Sequence, residues 1–287
     1  MNLKITIIRS LFLERNLMKR YFLFLLFCLS LTGILHAQNL KIFHENKPQG
    51  YIIYASNAEW YPVSVDLELD LTNMSFSQGS KTLFVIPAKT DKFKVGELTA
   101  QANAAYKFGY KFHFTMGDVT LTDYDKSFEY DLPFGKGKSY RLYQGYNGSF
   151  SHQHENSLDF TMPESTDILA ARDGTVVQVI QNNTESCPRE ECKKYNNYIT
   201  IMHPDGTFVS YVHIKYNGAK FQPGQHVKKG DVIALSGSVG FTSGPHLHFV
   251  CFVGGFDGWK TLETKFKIGN GDKATFLQEG STYTRNY

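Results

Sequence analysis

The stretch SGPHLHFVCF, residues 243–252, decides how the C-terminal half of this chain is read. Its run of aromatic and aliphatic residues has the character of a strand, where successive side chains face opposite sides. His246 and His248 then share one face, and Leu247 takes the other. Two imidazoles side by side are poor core material, because each buried ring nitrogen needs a hydrogen-bond partner. They suit a metal site or an acid–base pair.

Working outward, the same half contains further strand patterns: DGTVVQVI (173–180), NNYITIMH (196–203), TFVSYVHI (207–214) and DVIALSG (231–237). Asp173-Gly174, Pro204-Asp205-Gly206 and Lys229-Gly230-Asp231 supply the turns between them. No segment of useful length repeats its apolar residues at helical spacing. The tail from Thr261 to Tyr287 can add one or two strands, including TKFKIG (264–269). Upstream come YIIYAS (51–56), VSVDLELDL (63–71), KTLFVIPA (81–88), YKFGYKFHFTMG (106–117) and SFEYDLPF (127–134). VSVDLEL alternates with period two, as a half-buried antiparallel strand does. The expected fold class is all-β. Residues 38–140 read as a β-sandwich of immunoglobulin-like size, an accessory domain with Trp60 and Tyr61 as packing aromatics. The Gly-rich, polar segment GKGKSYRLYQGYNGSFSHQHE (135–155) reads as a linker, and residues 141–287 as a second antiparallel β domain.

Thirty basic and 27 acidic residues leave a formal net charge of +3 on 287 residues, with no Lys/Arg-dense stretch, so nothing points to nucleic acid. Lys19-Arg20, the apolar run Tyr21–Leu35 and the small Ala37 form a signal-peptide pattern over residues 1–37, and residues 1–17 read as an over-long start. The run is shorter than the roughly 20 residues a spanning helix needs, so a secreted, periplasmic or cell-envelope location is expected. In an oxidising compartment Cys187 and Cys192, flanking four residues, are expected to form a disulfide. Cys251 reads as a small buried hydrophobe.

Four elements of the second domain offer metal-binding or acid–base side chains. They are SHQHENSLDF (151–160) with His152, His154 and Asp159, SYVHI (210–214) with Tyr211 and His213, the His246/His248 pair, and the Gly-rich turn SGSVGFTSGP (236–245) that leads into it. A catalytic zinc takes three protein ligands and keeps one position open, so one Asp and two His would serve. Two further histidines could then activate water and stabilise an oxyanion. Strand alternation puts Tyr211 beside His213, where its hydroxyl could position substrate. His203 and His226 sit beside turns and receive no chemical role.

In these motifs the chain resembles the lysostaphin-type, or LytM-like, zinc endopeptidases that cut peptidoglycan peptides. The resemblance covers about Ser151 to Val253 and rests on LDFTMPESTDILAARDGTVVQV, YNNYITIMHPDGTFVSYVHI and GQHVKKGDVIALSGSVGFTSGPHLHF. It implies that Asp159 and His248 are zinc ligands and that His213 and His246 form the catalytic pair. The family's usual motif places its first His ligand four residues before the Asp, and here that position is Glu155. His154 lies five residues before Asp159 and His152 seven, and the FSHQ.EN..DF pattern favours His152 over His154. GQHVKKGDVI also resembles a lipoyl-carrier hairpin, but the residues usual beside the modified lysine are missing. The function this implies is that of a secreted, Zn2+-dependent metalloendopeptidase acting on peptidoglycan. A silent family member that binds cell wall or activates a partner hydrolase is the alternative, and a peptidase of host or environmental protein a third.

Overall fold

Alternation in the sequence becomes strand almost throughout the computed structural model, which describes residues 39–287. The expected signal segment, residues 1–37, lies outside the described residues. Asn39–Tyr287 form one compact unit. Among the described residues no helix is long and apolar enough to cross a membrane.

VSVDLEL forms the strand Val63–Thr72, with Val63, Val65 and Leu67 buried, paired to Leu83–Ile86 and Lys107–Met116. A second sheet runs in the order Leu40–Lys47, Gly50–Asn57, Thr90–Ala100, Met74–Phe76. Ile53, Ala55 and Leu98 of that sheet share one core with Val63, Val65 and Ile86 of the other. Sequence reading missed Thr90–Ala100. Register shifts in its pairing with Gly50–Asn57 break the period of two, and its Gly96 makes room for the Phe76 ring.

The C-terminal half is built on a nine-stranded sheet. Its central order is Gly174–Ile180, Tyr198–Met202, Phe208–Val212, Leu247–Val253, Ser157–Phe160, Ser139–Gln144. Ser139–Gln144 lies inside the segment expected to be a linker. SYRLYQ does alternate, with Leu142 and Gln144 buried, but flanking glycines and lysines hide the pattern. The tail supplies four strands: Lys260–Leu262, Lys265–Ile268, Lys273–Phe276 and Thr282–Thr284. SFEYDLPF contributes only Glu129–Tyr130, which pairs with Lys265–Ile268. Among the described residues helix is confined to one 3-10 turn, Glu190–Tyr195, tied by a Cys187–Cys192 disulfide.

One face of this sheet is core. Tyr211, Phe249, Leu158 and Ile199 are fully or almost fully buried there, each worth about 1.5–3 kcal/mol on transfer from water. Cys251 is buried on the same face, its Sγ 3.4 Å from the Tyr130 hydroxyl. The opposite face is split along its length. At the far end Phe208 and Phe252 stack on each other and join the core of the N-terminal sheets. Tyr61 packs edge-on against Phe208, and Trp259 lies flat on Phe252 at 4.0 Å. Trp60 is capped by the Lys89 ammonium. Gly254 permits the close approach here, since a Cβ would stand 2.0 Å from the Met116 carbonyl oxygen. At the near end the face is open.

His203, just past Tyr198–Met202, is buried, with Nδ1 against the Asp173 carbonyl at 2.9 Å and Nε2 without a partner. Burial pushes its imidazole down to about 4. The unfolded chain takes up this proton below pH ~6.5, whereas the folded protein resists it until pH ~4, so stability falls as pH drops through that window. The loss amounts to about 3 kcal/mol. Urea unfolding of the wild type and His203→Asn at several pH values should show a shallower acid slope for the variant. Equal slopes would remove His203 from the account.

Candidate metal centre

Strand register assembles the open end of the sheet. Asp159 stands directly opposite His248 on one side and Gln144 on the other, and His248 stands opposite Val212. Directly opposed residues share a face, so Gln144, Asp159, His248 and Val212 form one row. Asp159, His248 and Val212 of this row floor a cavity of about 510 Å³, walled by Tyr143, Phe150, Tyr198, Phe241 and Trp259.

The loop between Gln144 and Ser157 delivers one more imidazole. The Glu155 amide donates to the His152 carbonyl at 2.9 Å, closing a tight turn over Gln153 and His154. His154 takes the left-handed conformation, φ 62°, at that turn and is exposed. His152 is 1% exposed and faces inward. The turn therefore absorbs the extra spacing before Asp159 and brings in His152, not His154. Gln144 holds the loop in place. Its side-chain oxygen accepts from the Phe150 and Ser151 amides, and its nitrogen donates to Asp159 at 2.9 Å.

Single donor atoms of His152, Asp159 and His248 all lie within 4.8 Å of one another. Two imidazole nitrogens and one carboxylate oxygen are a donor set that a divalent transition metal accepts. Each nearby imidazole also has its second nitrogen engaged. His152 Nδ1 meets the Gly145 carbonyl at 3.0 Å, His213 Nδ1 the Val239 carbonyl at 2.8 Å and His246 Nδ1 the Gly244 carbonyl at 2.9 Å. A carbonyl only accepts, so these Nδ1 atoms carry the protons, leaving Nε2 of His152 for Asp159 and His248 and the Nε2 atoms of His213 and His246 for the cavity. The His213 and His246 rings lie 4.5 Å apart, and His213 is 6.0 Å from His248.

Charge sets His248 apart from His213 and His246. Burial disfavours a charged His248, but hydrogen bonds to Asp159 and Glu155 outweigh it and hold the group at about 9. Asp159, though buried, is kept well below the usual carboxylate range by His152 and His248. Burial drives His213 down to about 3 and also lowers His246. At neutral pH the second pair is uncharged and able to accept protons.

The expected role of Tyr211 fails. Strand alternation breaks at His213, whose φ of 64° swings its side chain to the cavity side. Tyr211 keeps the strand's parity, is fully buried in the core and accepts a hydrogen bond from the Ala171 amide at 2.8 Å. Sequence reading also missed Gln144 and Tyr143, because both lie in the segment taken for a linker. Tyr143 packs edge-on against His246.

Residues 153–256 match the family model described as peptidase family M23. The match takes in Asp159, His213, His246 and His248 and begins one residue after His152. Peptidoglycan DD-endopeptidase ShyA of Vibrio cholerae serotype O1 is 35% identical over 100 residues, 35% of this chain and 20% of that protein. Lysostaphin of Staphylococcus simulans is 32% identical over 126 residues, 43% of this chain and 22% of that protein. An uncharacterized metalloprotease of Buchnera aphidicola subsp. Baizongia pistaciae is 35% identical over 124 residues, 41% of this chain. The chain spans 30% of that last protein's length and less of the other two. The solved catalytic domain of Staphylococcus simulans lysostaphin aligns at 25% identity and a TM-score of 0.33, covering 43% of this chain and 87% of that one.

Tyr211→Phe should cost about 1–3 kcal/mol in urea unfolding, because it strands the buried Ala171 amide. Metal uptake should stay at the wild-type level. Loss of metal binding without loss of stability would return Tyr211 to the site.

Proposed function

We propose that the chain is a zinc metalloendopeptidase acting outside the cytoplasm on peptide bonds of cell-wall peptidoglycan, with residues 38–140 as an accessory domain. The observation that carries this reading is the convergence of His152, Asp159 and His248 within 4.8 Å, beside two histidines that burial keeps neutral. The lysostaphin and DD-endopeptidase relatives support the substrate.

His152, Asp159 and His248 would hold the zinc. A zinc ion so bound supplies Lewis acidity, polarising the scissile carbonyl and making a neighbouring water more acidic. His213 and His246 present unprotonated Nε2 atoms, so either can take the proton of the attacking water. Once protonated, that imidazole is a donor, fitted to face the developing oxyanion or return the proton to the leaving amine. The carbonyls of Val239 and Gly244 fix both rings, so no reorientation is needed during the reaction. The aromatic walls leave an open trough suited to an extended peptide.

Elemental analysis of purified protein should find zinc, and digestion of purified peptidoglycan should stop when a chelator is added. His152→Ala should abolish both zinc content and digestion, whereas His154→Ala should abolish neither. A well-folded protein with no zinc and no chelator-sensitive cleavage would instead be a silent cell-wall binder.

A further inference from the structure

Glu155 occupies the position, four residues before Asp159, where the resembling family places a metal ligand. It does not point at the donor cluster from the same side as the other ligands. Its Oε1 lies 3.3 Å from Nε2 of His248, while Nδ1 of the same ring lies 3.0 Å from Asp159 and 3.2 Å from Nε2 of His152. The two nitrogens of an imidazole direct their lone pairs or protons to opposite edges of the ring. A carboxylate on the Nε2 edge therefore cannot share an ion held at Nδ1. What it can do is accept the Nε2 proton and fix which way the ring turns.

Glu155 is itself held for that task. The Ser157 hydroxyl donates to Oε1 of Glu155. Its backbone is pinned at both ends, the amide donating to the His152 carbonyl at 2.9 Å and the carbonyl accepting from the Asn147 amide at 2.9 Å. One residue thus bears on two ligands. Its backbone closes the turn that turns His152 inward, and its carboxylate braces His248.

We infer that Glu155 is a positioning residue of the metal centre: it accepts the Nε2 proton of His248 and presents Nδ1 to the cluster formed with His152 and Asp159. This inference rests on the zinc reading above.

Zinc affinity measured by competition with a chromophoric chelator tests it, together with nitrogen-15 NMR of the histidine rings in the zinc-loaded protein. Glu155→Ala should weaken zinc binding about 10–100-fold, the range seen when such a supporting partner is removed. Glu155→Gln keeps an acceptor and should recover most of the loss. Ser157→Ala, which leaves the carboxylate but loosens it, should produce a smaller loss in the same direction. The Nε2 proton of His248 should exchange slowly in the wild type and in Glu155→Gln, and rapidly in Glu155→Ala. If Glu155→Ala binds zinc as the wild type does, and the His248 proton stays protected, Glu155 is not the brace. The zinc reading fails separately, when wild-type protein binds no zinc or His248→Ala binds it undiminished.

Discussion

Register between Ser157–Phe160 and Leu247–Val253 is the constraint on which the centre depends. Side chains alternate along a strand, so a slip of Ser157–Phe160 by one residue would carry Asp159 into the core and bring Leu158 to the cavity. That exchange would bury a carboxylate in hydrocarbon and expose a leucine that is now fully buried. The core behind the sheet thus enforces the geometry in front of it. Tyr211, Phe249 and Leu158 hold the strands in the one alignment that puts a carboxylate opposite an imidazole.

Burying Asp159 is costly unless its charge is matched. An isolated carboxylate taken out of water loses several kcal/mol of solvation even after the protein relaxes. Here the Gln144 amide and the rings of His152 and His248 surround it within 2.9–3.3 Å. The same arrangement leaves His213 and His246 further from the carboxylate, with His246 Nε2 at 3.7 Å, and burial dominates their protonation. His248 on one side and His213 and His246 on the other, a few ångströms apart, thereby acquire opposite characters, the first favoured in its charged form and the others in their neutral form.

Much of this was legible in the sequence, because the period of two is strong in the strands that carry the site. His246 and His248 could be placed on one face from alternation alone, and the all-β class followed from strand patterns separated by Gly-containing turns. The failures have local causes. Tyr211 was misassigned because the left-handed backbone at His213 breaks the alternation, and a single positive φ leaves no mark in residue type. Gln144 and Tyr143 were passed over because the glycines and lysines before SYRLYQ and the glycines after it disguise a strand as a linker. The choice between His152 and His154 rests in the structure on a turn that throws one imidazole outward, a feature of backbone geometry that spacing alone does not encode. The long strand Thr90–Ala100 was lost to its register shifts.

The stack of Tyr61, Phe208, Phe252 and Trp259 lies on the same sheet face as the cavity floor. Two residues beyond His248 along its strand comes Val250, still in the cavity, and two further comes Phe252, already roofed by the N-terminal sheets. The trough is therefore a cul-de-sac in that direction. Under the proposed peptidase reading, a polymer lying along the Leu247–Val253 strand would meet Trp259 and the N-terminal half at this end.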